Sequence, residues 1–406
     1  MGNNGNQRLF FLDWLRVISI FLVFLHHVFL PFSTHHEWLI KNGETSDLLS
    51  AILIFFEQWR LHLLFLVSGA GTYLAFSKRT ALGFVGERSK RLLIPLYFGL
   101  FFINPPQTYF SNIEEFNSYL DLYPFVFTNR SIHHLWFIKI LFVYSIIAIP
   151  LILFLKSSYG NNFKKNLYQF FQKPGRLILL AVGASLLTAL LKFEISLDKN
   201  RFILQYPVTI PFLLFFITGL LLASEFKSWE IVKKNINKFT FLLIPLTVSF
   251  YWFYFQHKNE IITESLYGTS LLIWLSIKTL MGWMMVFVLI GLACKYLSFQ
   301  KIWLKKINEG IYPFYIFHQT FIVILAFYIT QIPSPWPLKF ALILIGSFGL
   351  SVLIYKIFIY PFNITRFFFG MRPNPQSQPN ELKTIPKPSL QKELELVEVQ
   401  IQSRRL

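Results

Sequence analysis

Apolar residues form long runs along this chain, and charged residues are concentrated between the runs. A helix needs about 20 residues to cross a bilayer, and most of the runs reach that length. Because backbone groups in lipid must find partners within their own segment, such runs predict membrane-spanning helices. The predicted spans are residues 9–32, 48–76, 91–109, 135–155, 177–195, 207–225, 239–256, 268–297, 311–331 and 338–364. The third is short and is interrupted by Pro105 and Pro106, and the pattern is also compatible with nine or eleven spans.

The composition agrees with this pattern. Of 406 residues, 54% are hydrophobic and only 14% are charged, whereas a soluble domain carries about 25% charged residues. We therefore predict an all-α, polytopic membrane helix bundle of about ten transmembrane helices. The single cysteine, Cys294, excludes an internal disulfide. The chain has no Cys-x-x-Cys or His-Glu-x-x-His pattern, so no metal site is predicted.

The excess of basic residues predicts an orientation. The net charge is +18, but the cations lie between apolar runs and form no patch interleaved with aromatic residues, so we exclude a nucleic-acid partner. With ten spans, the basic loops and both termini fall on one side of the bilayer, which the positive-inside rule makes cytoplasmic. The location expected is the cell (inner) membrane. Residues 366–406, rich in Pro, Gln, Ser, Lys and Glu, predict a disordered cytoplasmic tail after a membrane domain at 1–365.

Ionisable residues in the first span are the strongest sign of function. Arg16 and His27 are eleven residues apart, which places them on one helix face with a separation of about 16 Å along the axis. Asp13 is three residues before Arg16 and is expected to pair with it. Charged groups inside a membrane usually face a protein interior or a water-filled cavity. The alternative is that Arg16 snorkels to the surface and His27 lies near the other interface.

The second span contains a further charged pair and a small-residue stretch. Glu57 and Arg60 are spaced i, i+3 and are expected to neutralise each other, in a structural or a functional role. The stretch around Ser68 and Gly69 lets another helix, or a ligand, approach the backbone closely. Both interpretations stay open.

Two other segments carry candidate binding residues. Arg88 and Arg91 have an Arg-x-x-Arg spacing, so one helical turn aligns them to hold phosphates, although such pairs also serve as plain topology signals. In the ninth span, His318 and Gln319 are predicted about two turns from the cytoplasmic end. Adjacent His and Gln inside an aromatic helix favour a functional role.

Together these motifs resemble the membrane acyltransferase-3 family, of the glucan biosynthesis protein C type, over residues 9–365. The matching elements are Arg16 with His27 and the segments 59–69, 88–95, 105–109, 134–137 and 312–319. The resemblance implies an O-acyltransferase that moves an acyl group, acetyl or succinyl, from acyl-CoA to a carbohydrate or glycan hydroxyl across the membrane. Residues 1–365 are then the acyltransferase domain.

The resemblance also implies that His27 is the catalytic residue and that Arg16 belongs to the same constellation. His27 would act as a general base on the acceptor hydroxyl or would briefly take the acyl group itself, and the sequence leaves both open. We further expect Glu57 or another acid to orient the imidazole, and Arg60 or Lys139 to stabilise the oxyanion. No tightly bound cofactor is expected, since acyl-CoA is a donor substrate. Its binding residues are predicted to be Arg88, Arg91, Ser68, Gly69, His318 and Gln319.

Two other classes of protein remain compatible with the sequence. A transporter or flippase for a lipid-linked saccharide would line its pathway with the same buried charges. A membrane scaffold would need neither Arg16 nor His27. The sequence leaves open whether the protein forms a homodimer.

Overall fold

The computed structural model describes residues 9–34, 37–77, 79–128, 132–197 and 209–374. Most of these residues are helical, and their one bridge pair joins Ser33 to Ser46. The α-helices are α1 (Phe10–Phe29), α2 (Asp47–Glu57), α3 (Arg60–Phe76), α4 (Ala81–Arg88), α5 (Ile94–Phe98), α6 (Pro105–Ser111), α7 (Leu122–Thr128), α8 (Trp136–Lys156), α9 (Ser158–Gln172), α10 (Arg176–Leu197), α11 (Ile210–Ser224), α12 (Ser228–Lys234), α13 (Ile236–Gln256), α14 (Lys258–Ile262), α15 (Gly268–Tyr296), α16 (Ile302–Ile329), α17 (Trp336–Ile354) and α18 (Asn363–Phe368).

Most of the predicted spans are present as helices. Among the described residues, eight segments are long and apolar enough to cross a membrane: Phe10–Phe32, Asp47–Phe76, His133–Lys156, Arg176–Phe193, Ile236–Gln256, Gly268–Tyr296, Ile302–Ile329 and Trp336–Ile359. A ninth is the pair α11 and α12, which is bent by 111°. The predicted all-α, polytopic fold class is therefore confirmed, with eight or nine such helices where about ten were expected.

The predicted third span, 91–109, is not one continuous helix. The π-helical turns Ser89–Leu93 and Gly99–Ile103 flank the short helix α5, and α6 follows after a bend at Asn104. Proline lacks the N–H that continues a helix, and Pro95, Pro105 and Pro106 interrupt the ladder of hydrogen bonds here. Pro105 and Pro106 predict the break before α6, whereas the apolar pattern does not show the two π-helical turns.

Helix α3 is held against α11 by two reciprocal glycine contacts. A Cβ atom on Gly69 would lie 1.9 Å from the carbonyl oxygen of Phe216, and one on Gly219 would lie 1.9 Å from that of Leu66. Neither position has room for a side chain, so the two backbones are in direct contact. This is the small-residue packing that brings membrane helices close together.

The boundary between α2 and α3 is a break inside one long membrane segment. Trp59 departs from helical geometry (φ −141°, ψ −25°), and the side chain of Gln58 donates a hydrogen bond to the carbonyl of Ile54 (2.7 Å). Helix α15 packs directly on this break, since a Cβ on Gly282 would lie 2.4 Å from the Gln58 carbonyl oxygen. The break makes Arg60 the first residue of α3, inside the bundle.

The two ends of the bundle have different chemistry. The basic end, as we call it, is where α1 begins and α3 ends, and it contains Arg79, Arg88 and Arg91. At the opposite end, buried Lys339 of α17 donates to the side chain of Asn42 (3.2 Å) and to the carbonyl of Thr330 (2.8 Å).

Structure at the basic end continues past residue 365, because α18 spans Asn363–Phe368 and the described residues run to 374. The rest of the predicted tail, 375–406, lies outside the described residues.

Candidate active site

Two histidines from distant parts of the chain meet in the core. His27 lies in the last turn of α1 and His318 lies in the middle of α16. Nε2 of His318 is 3.0 Å from Nδ1 of His27, and His318 is fully buried whereas His27 is partly exposed. The predicted catalytic histidine therefore has a buried imidazole behind it and an accessible side.

The hydrogen bonds of His318 assign the protons of both rings. Nδ1 of His318 lies 2.5 Å from the carbonyl oxygen of Tyr315, and a carbonyl can only accept, so this nitrogen carries the proton. In a neutral ring Nε2 is then an acceptor, and Nδ1–H of His27 donates to it. Nε2 of His27 is left with a lone pair. An imidazole in this tautomer is prepared to remove a proton from a substrate.

His134 provides a third imidazole next to this pair. Its ring centroid is 5.0 Å from that of His318 and 6.2 Å from that of His27, and its Nε2 donates to the carbonyl of Ile316 (3.1 Å). The hydroxyl of Tyr315 in turn donates to the carbonyl of His134. Both nitrogens of His318 and one of His134 are thus used within the protein. Over the described ranges, no three His, Cys, Asp or Glu side chains are placed to hold a metal ion.

Arg60 is buried beside the histidines. Only 6% of its surface is exposed, and its Nε and Nη1 have no hydrogen-bond partner in the described part of the chain. The guanidinium is within electrostatic range of both His27 and Glu57. A buried cation whose donors are unpaired is costly, which favours a site that receives an anion or a developing oxyanion.

Two residues with predicted catalytic roles, Glu57 and Lys139, are placed differently from what the sequence predicted. Oε1 of Glu57 lies 4.0 Å from Nε2 of His26, while the His27 ring donates its hydrogen bond to His318. Orientation of His27 is thus provided by α16, not by the carboxylate of α2. Lys139 is exposed on the surface of α8.

Arg16 and Arg88 converge on the end of α3 at the basic end. Nη1 of Arg16 lies 3.3 Å from Oδ1 of Asp13, as expected, and its Nη2 is 3.3 Å from where a Cβ on Gly71 would stand. Arg88 donates to the hydroxyl of Thr72 (3.0 Å). Burial lowers the pKa of Arg88 to about 10, so its side chain is still charged at neutral pH. The two guanidinium groups therefore face the same stretch of helix.

Glu87 joins two more arginines to this group. Its carboxylate lies 2.5 Å from Nε of Arg79 and 3.3 Å from Nε of Arg91. Arg16, Arg79, Arg88 and Arg91 form what we call the arginine cluster. One carboxylate shared by two guanidinium groups leaves donors available for phosphate oxygens.

Ser68 and Gly69, two further predicted binding residues, have different surroundings. Ser68 is partly exposed on α3, one turn before Thr72 and thus on the face that carries the arginine contacts. Gly69 instead contacts the Phe216 backbone, which fills the space that a ligand would need. We therefore assign Gly69 to helix packing and not to cofactor binding.

His318 and Gln319 lie deeper than the sequence suggested. Helix α16 begins at Ile302 instead of at 311, so the two residues are near its middle and not two turns from the basic end. Both are buried, with 0% and 4% of their surface exposed. His318 accordingly belongs with His27, whereas the arginine cluster lies at the basic end.

Apolar helices that enclose an accessible imidazole define a membrane enzyme, and comparison with known proteins specifies its class. A family model described as "Acyltransferase domain" matches residues 9–356, and the chain belongs to this acyltransferase-3 family. The protein is a multi-pass membrane acyltransferase, as the motifs implied.

The similar curated proteins are named "Glucans biosynthesis protein C". Those from Escherichia coli strains SMS-3-5, K12 and ED1a are each 24% identical to this chain over 377 residues, which cover 90% of this chain and 95% of the relative. No match to a solved structure is found.

Proposed function

We propose that the protein is an O-acyltransferase that moves an acyl group from acyl-CoA, bound at the basic end, to a hydroxyl of a carbohydrate or glycan that enters from the opposite end. The observation that carries this proposal is the 3.0 Å contact between His318 and His27, which leaves Nε2 of His27 as a base. The family match supports acyl transfer as the reaction. The name of these relatives supports a glucan as the acceptor.

The arginine cluster supports a coenzyme A donor. Coenzyme A carries a diphosphate and a phosphate monoester, and clustered guanidinium groups bind such anions through paired hydrogen bonds. The positive-inside rule makes the basic end cytoplasmic, which is the side where acyl-CoA is available, and the membrane is then the cell (inner) membrane. Arg16 and His27 are separated by about 16 Å along α1, which suits an extended donor whose thioester reaches into the bundle past Ser68.

The chemistry follows from the unpaired groups around His27. Nε2 of His27 removes the proton from the acceptor hydroxyl as that oxygen attacks the thioester carbonyl carbon. A C–O bond forms, and the negative charge on the carbonyl oxygen is stabilised by the guanidinium of Arg60. When the intermediate collapses the C–S bond breaks, and the thiolate of coenzyme A takes the proton from His27. The products are an ester and free coenzyme A.

Arg60 favours succinyl over acetyl as the acyl group. A succinyl group ends in a carboxylate, and this carboxylate would neutralise a buried guanidinium whose Nε and Nη1 are unpaired. An acetyl group has no such charge. Binding of an acetyl group therefore leaves the free-energy cost of burying the Arg60 guanidinium unchanged.

The test compares acyl transfer with transport. Purified protein in nanodiscs is given succinyl-CoA or acetyl-CoA, with or without a soluble glucan, and free coenzyme A thiol is measured. We expect glucan-stimulated thiol release and an acylated glucan that is detected by mass spectrometry. If thiol is not released but vesicles containing the protein translocate a lipid-linked saccharide, the protein acts as a flippase and the proposal is wrong.

A further inference from the structure

The chain after the last membrane helix folds back on itself around one buried arginine. Only 2% of the surface of Arg366 is exposed. Its guanidinium donates to the carbonyl of Tyr360 (3.1 Å) and to the carbonyl of Arg372 (2.7 Å), and it also pairs with Glu309 of α16. A buried charge that is satisfied by three partners fixes the path of the backbone around it.

This segment docks on α16 and α5 through aromatic contacts. Phe369 is 3% exposed, and its ring stacks on Phe317 of α16 with centroids 4.8 Å apart. The ring of Phe368 stacks on Phe98 of α5 at 5.0 Å. Residues 363–374, which we call the closing segment, are thus part of the folded domain.

Gly370 places the closing segment directly against the arginine cluster. Its φ of +65° is a left-handed conformation that glycine adopts readily. A Cβ at this position would lie 2.6 Å from the carbonyl oxygen of Arg91 and 3.2 Å from Cε1 of Tyr312. The backbone next to Arg372 therefore touches the turn that carries Arg91.

Arg372 adds a charge to this region. Its side chain is exposed and within electrostatic range of Arg91. The arginine cluster is partly neutralised by Asp13 and Glu87. Arg372 is a fifth guanidinium beside the four of the arginine cluster. It raises the net positive charge where the phosphates of coenzyme A are proposed to bind.

We propose that the closing segment forms one wall of the donor site and that Arg372 binds a phosphate of coenzyme A. This inference rests on the proposed function, because it assigns a residue to the same donor site. The carbonyl of Arg372 bonds to Arg366, which holds the backbone in place while the exposed guanidinium reaches the ligand. Residues outside the membrane spans thereby determine how tightly the donor binds.

The test measures binding of coenzyme A and of phosphate-free pantetheine to the full-length protein in detergent. Arg372→Ala is compared with Lys165→Ala, which removes an exposed charge from α9 outside the cluster. Arg372→Ala should weaken coenzyme A binding about tenfold, since a hydrogen bond to a charged group contributes about that factor. Pantetheine binding and the melting temperature should not change, and Arg372→Lys should restore most of the affinity.

A second variant tests the closing segment without removing a charge. Gly370→Ala introduces a Cβ 2.6 Å from a backbone oxygen at a left-handed φ, so it should displace the segment and weaken coenzyme A binding. If the wild type binds coenzyme A and Arg372→Ala binds it equally tightly, the inference is wrong and the proposed function stands. If the wild type binds no coenzyme A, the proposed function is wrong and the inference fails with it.

Discussion

Nε2 of His318 lies 3.0 Å from Nδ1 of His27, and this contact joins residues that are 291 positions apart in the chain. The Tyr315 carbonyl fixes the proton on Nδ1 of His318, so Nε2 of His318 must accept a hydrogen bond. The proton of His27 is thereby held on its Nδ1. His318 is therefore a positioning residue that acts through the catalytic imidazole. Such a role resembles that of the acidic member of a hydrolase triad, which also holds an imidazole in one tautomer.

Removal of His318 should lower kcat and leave donor binding intact. In His318→Ala the tautomer of His27 is no longer fixed, and we expect kcat to fall about 100-fold, within the usual range for general-base catalysis. The KM for acyl-CoA should stay within about twofold, because the arginine cluster is untouched. Gln at position 318 retains a hydrogen-bond acceptor and should recover part of the rate. Equal losses in His318→Ala and His318→Gln, or a change confined to KM, would contradict a positioning role.

Loss of Arg88 should affect donor binding more than turnover. Arg88→Ala removes a guanidinium that the structure fixes on Thr72, and the KM for acyl-CoA should rise about tenfold with little change in kcat. Because the pKa is about 10, the charge of Arg88 is lost as the pH rises through that value, and the wild type should then bind coenzyme A about tenfold more weakly. Calorimetric titrations with coenzyme A between pH 7 and 10.5 measure this loss. Affinity that is flat across that range would show that Arg88 does not bind the donor.

Arg60 should determine which acyl group is used. Arg60→Met keeps an unbranched apolar stem and removes the charge, so it should reduce the use of succinyl-CoA about 100-fold relative to acetyl-CoA. The ratio of kcat/KM for the two donors is the quantity to measure, since a folding defect lowers both values together. An unchanged ratio with a large loss of kcat for both donors would indicate an oxyanion role alone.

The contact between α3 and α11 should tolerate no added methyl group. Gly69→Ala places a Cβ 1.9 Å from the Phe216 carbonyl oxygen, and we expect a loss of about 2–3 kcal/mol in the free energy of unfolding. Gly183→Ala on α10 is the matched control, because nothing lies within 4 Å of the added atom. Replacement of a helical glycine by alanine should stabilise that variant by about 0.5–1 kcal/mol. Thermal unfolding in detergent compares the two, and equal melting temperatures would refute the assignment of Gly69 to packing.

Local patterns in the sequence predicted much of this fold. Long apolar runs identified the helices, and helical spacing identified the ion pair of Arg16 with Asp13. Local spacing carries no information about contacts between distant helices, so the partner of His27 was assigned to Glu57 and not to His318. Both His134 and His318 stand in aromatic segments that the family resemblance had already marked, and these motifs were the available signal. At 91–109 the interruption at Pro105 and Pro106 was predicted, but the π-helical turns on either side of α5 were not, because hydropathy does not register changes in the ladder of backbone hydrogen bonds.

The beginning of α16 shows a second limit of hydropathy. Residues 302–310 include Lys305, Lys306 and Glu309, so an apolar window excludes them although the helix contains them. That difference of nine residues moved His318 from the basic end to the level of His27. The closing segment was missed because most of it was grouped with the polar stretch that follows it, although Phe367, Phe368 and Phe369 are apolar and Arg366 and Phe369 are buried on the bundle.

Whether the Nε2 atom of His27 performs acyl transfer can be measured most directly by glucan-stimulated release of coenzyme A thiol from succinyl-CoA. The measurement compares the wild type with His27→Ala and with His26→Ala, which removes the neighbouring imidazole. The account predicts that His27→Ala lowers the stimulated rate by at least about 1,000-fold, while it still binds coenzyme A with wild-type affinity. His26→Ala should keep most of the rate. A His27→Ala protein that folds, binds coenzyme A and still transfers the acyl group at a rate close to that of the wild type would contradict the account.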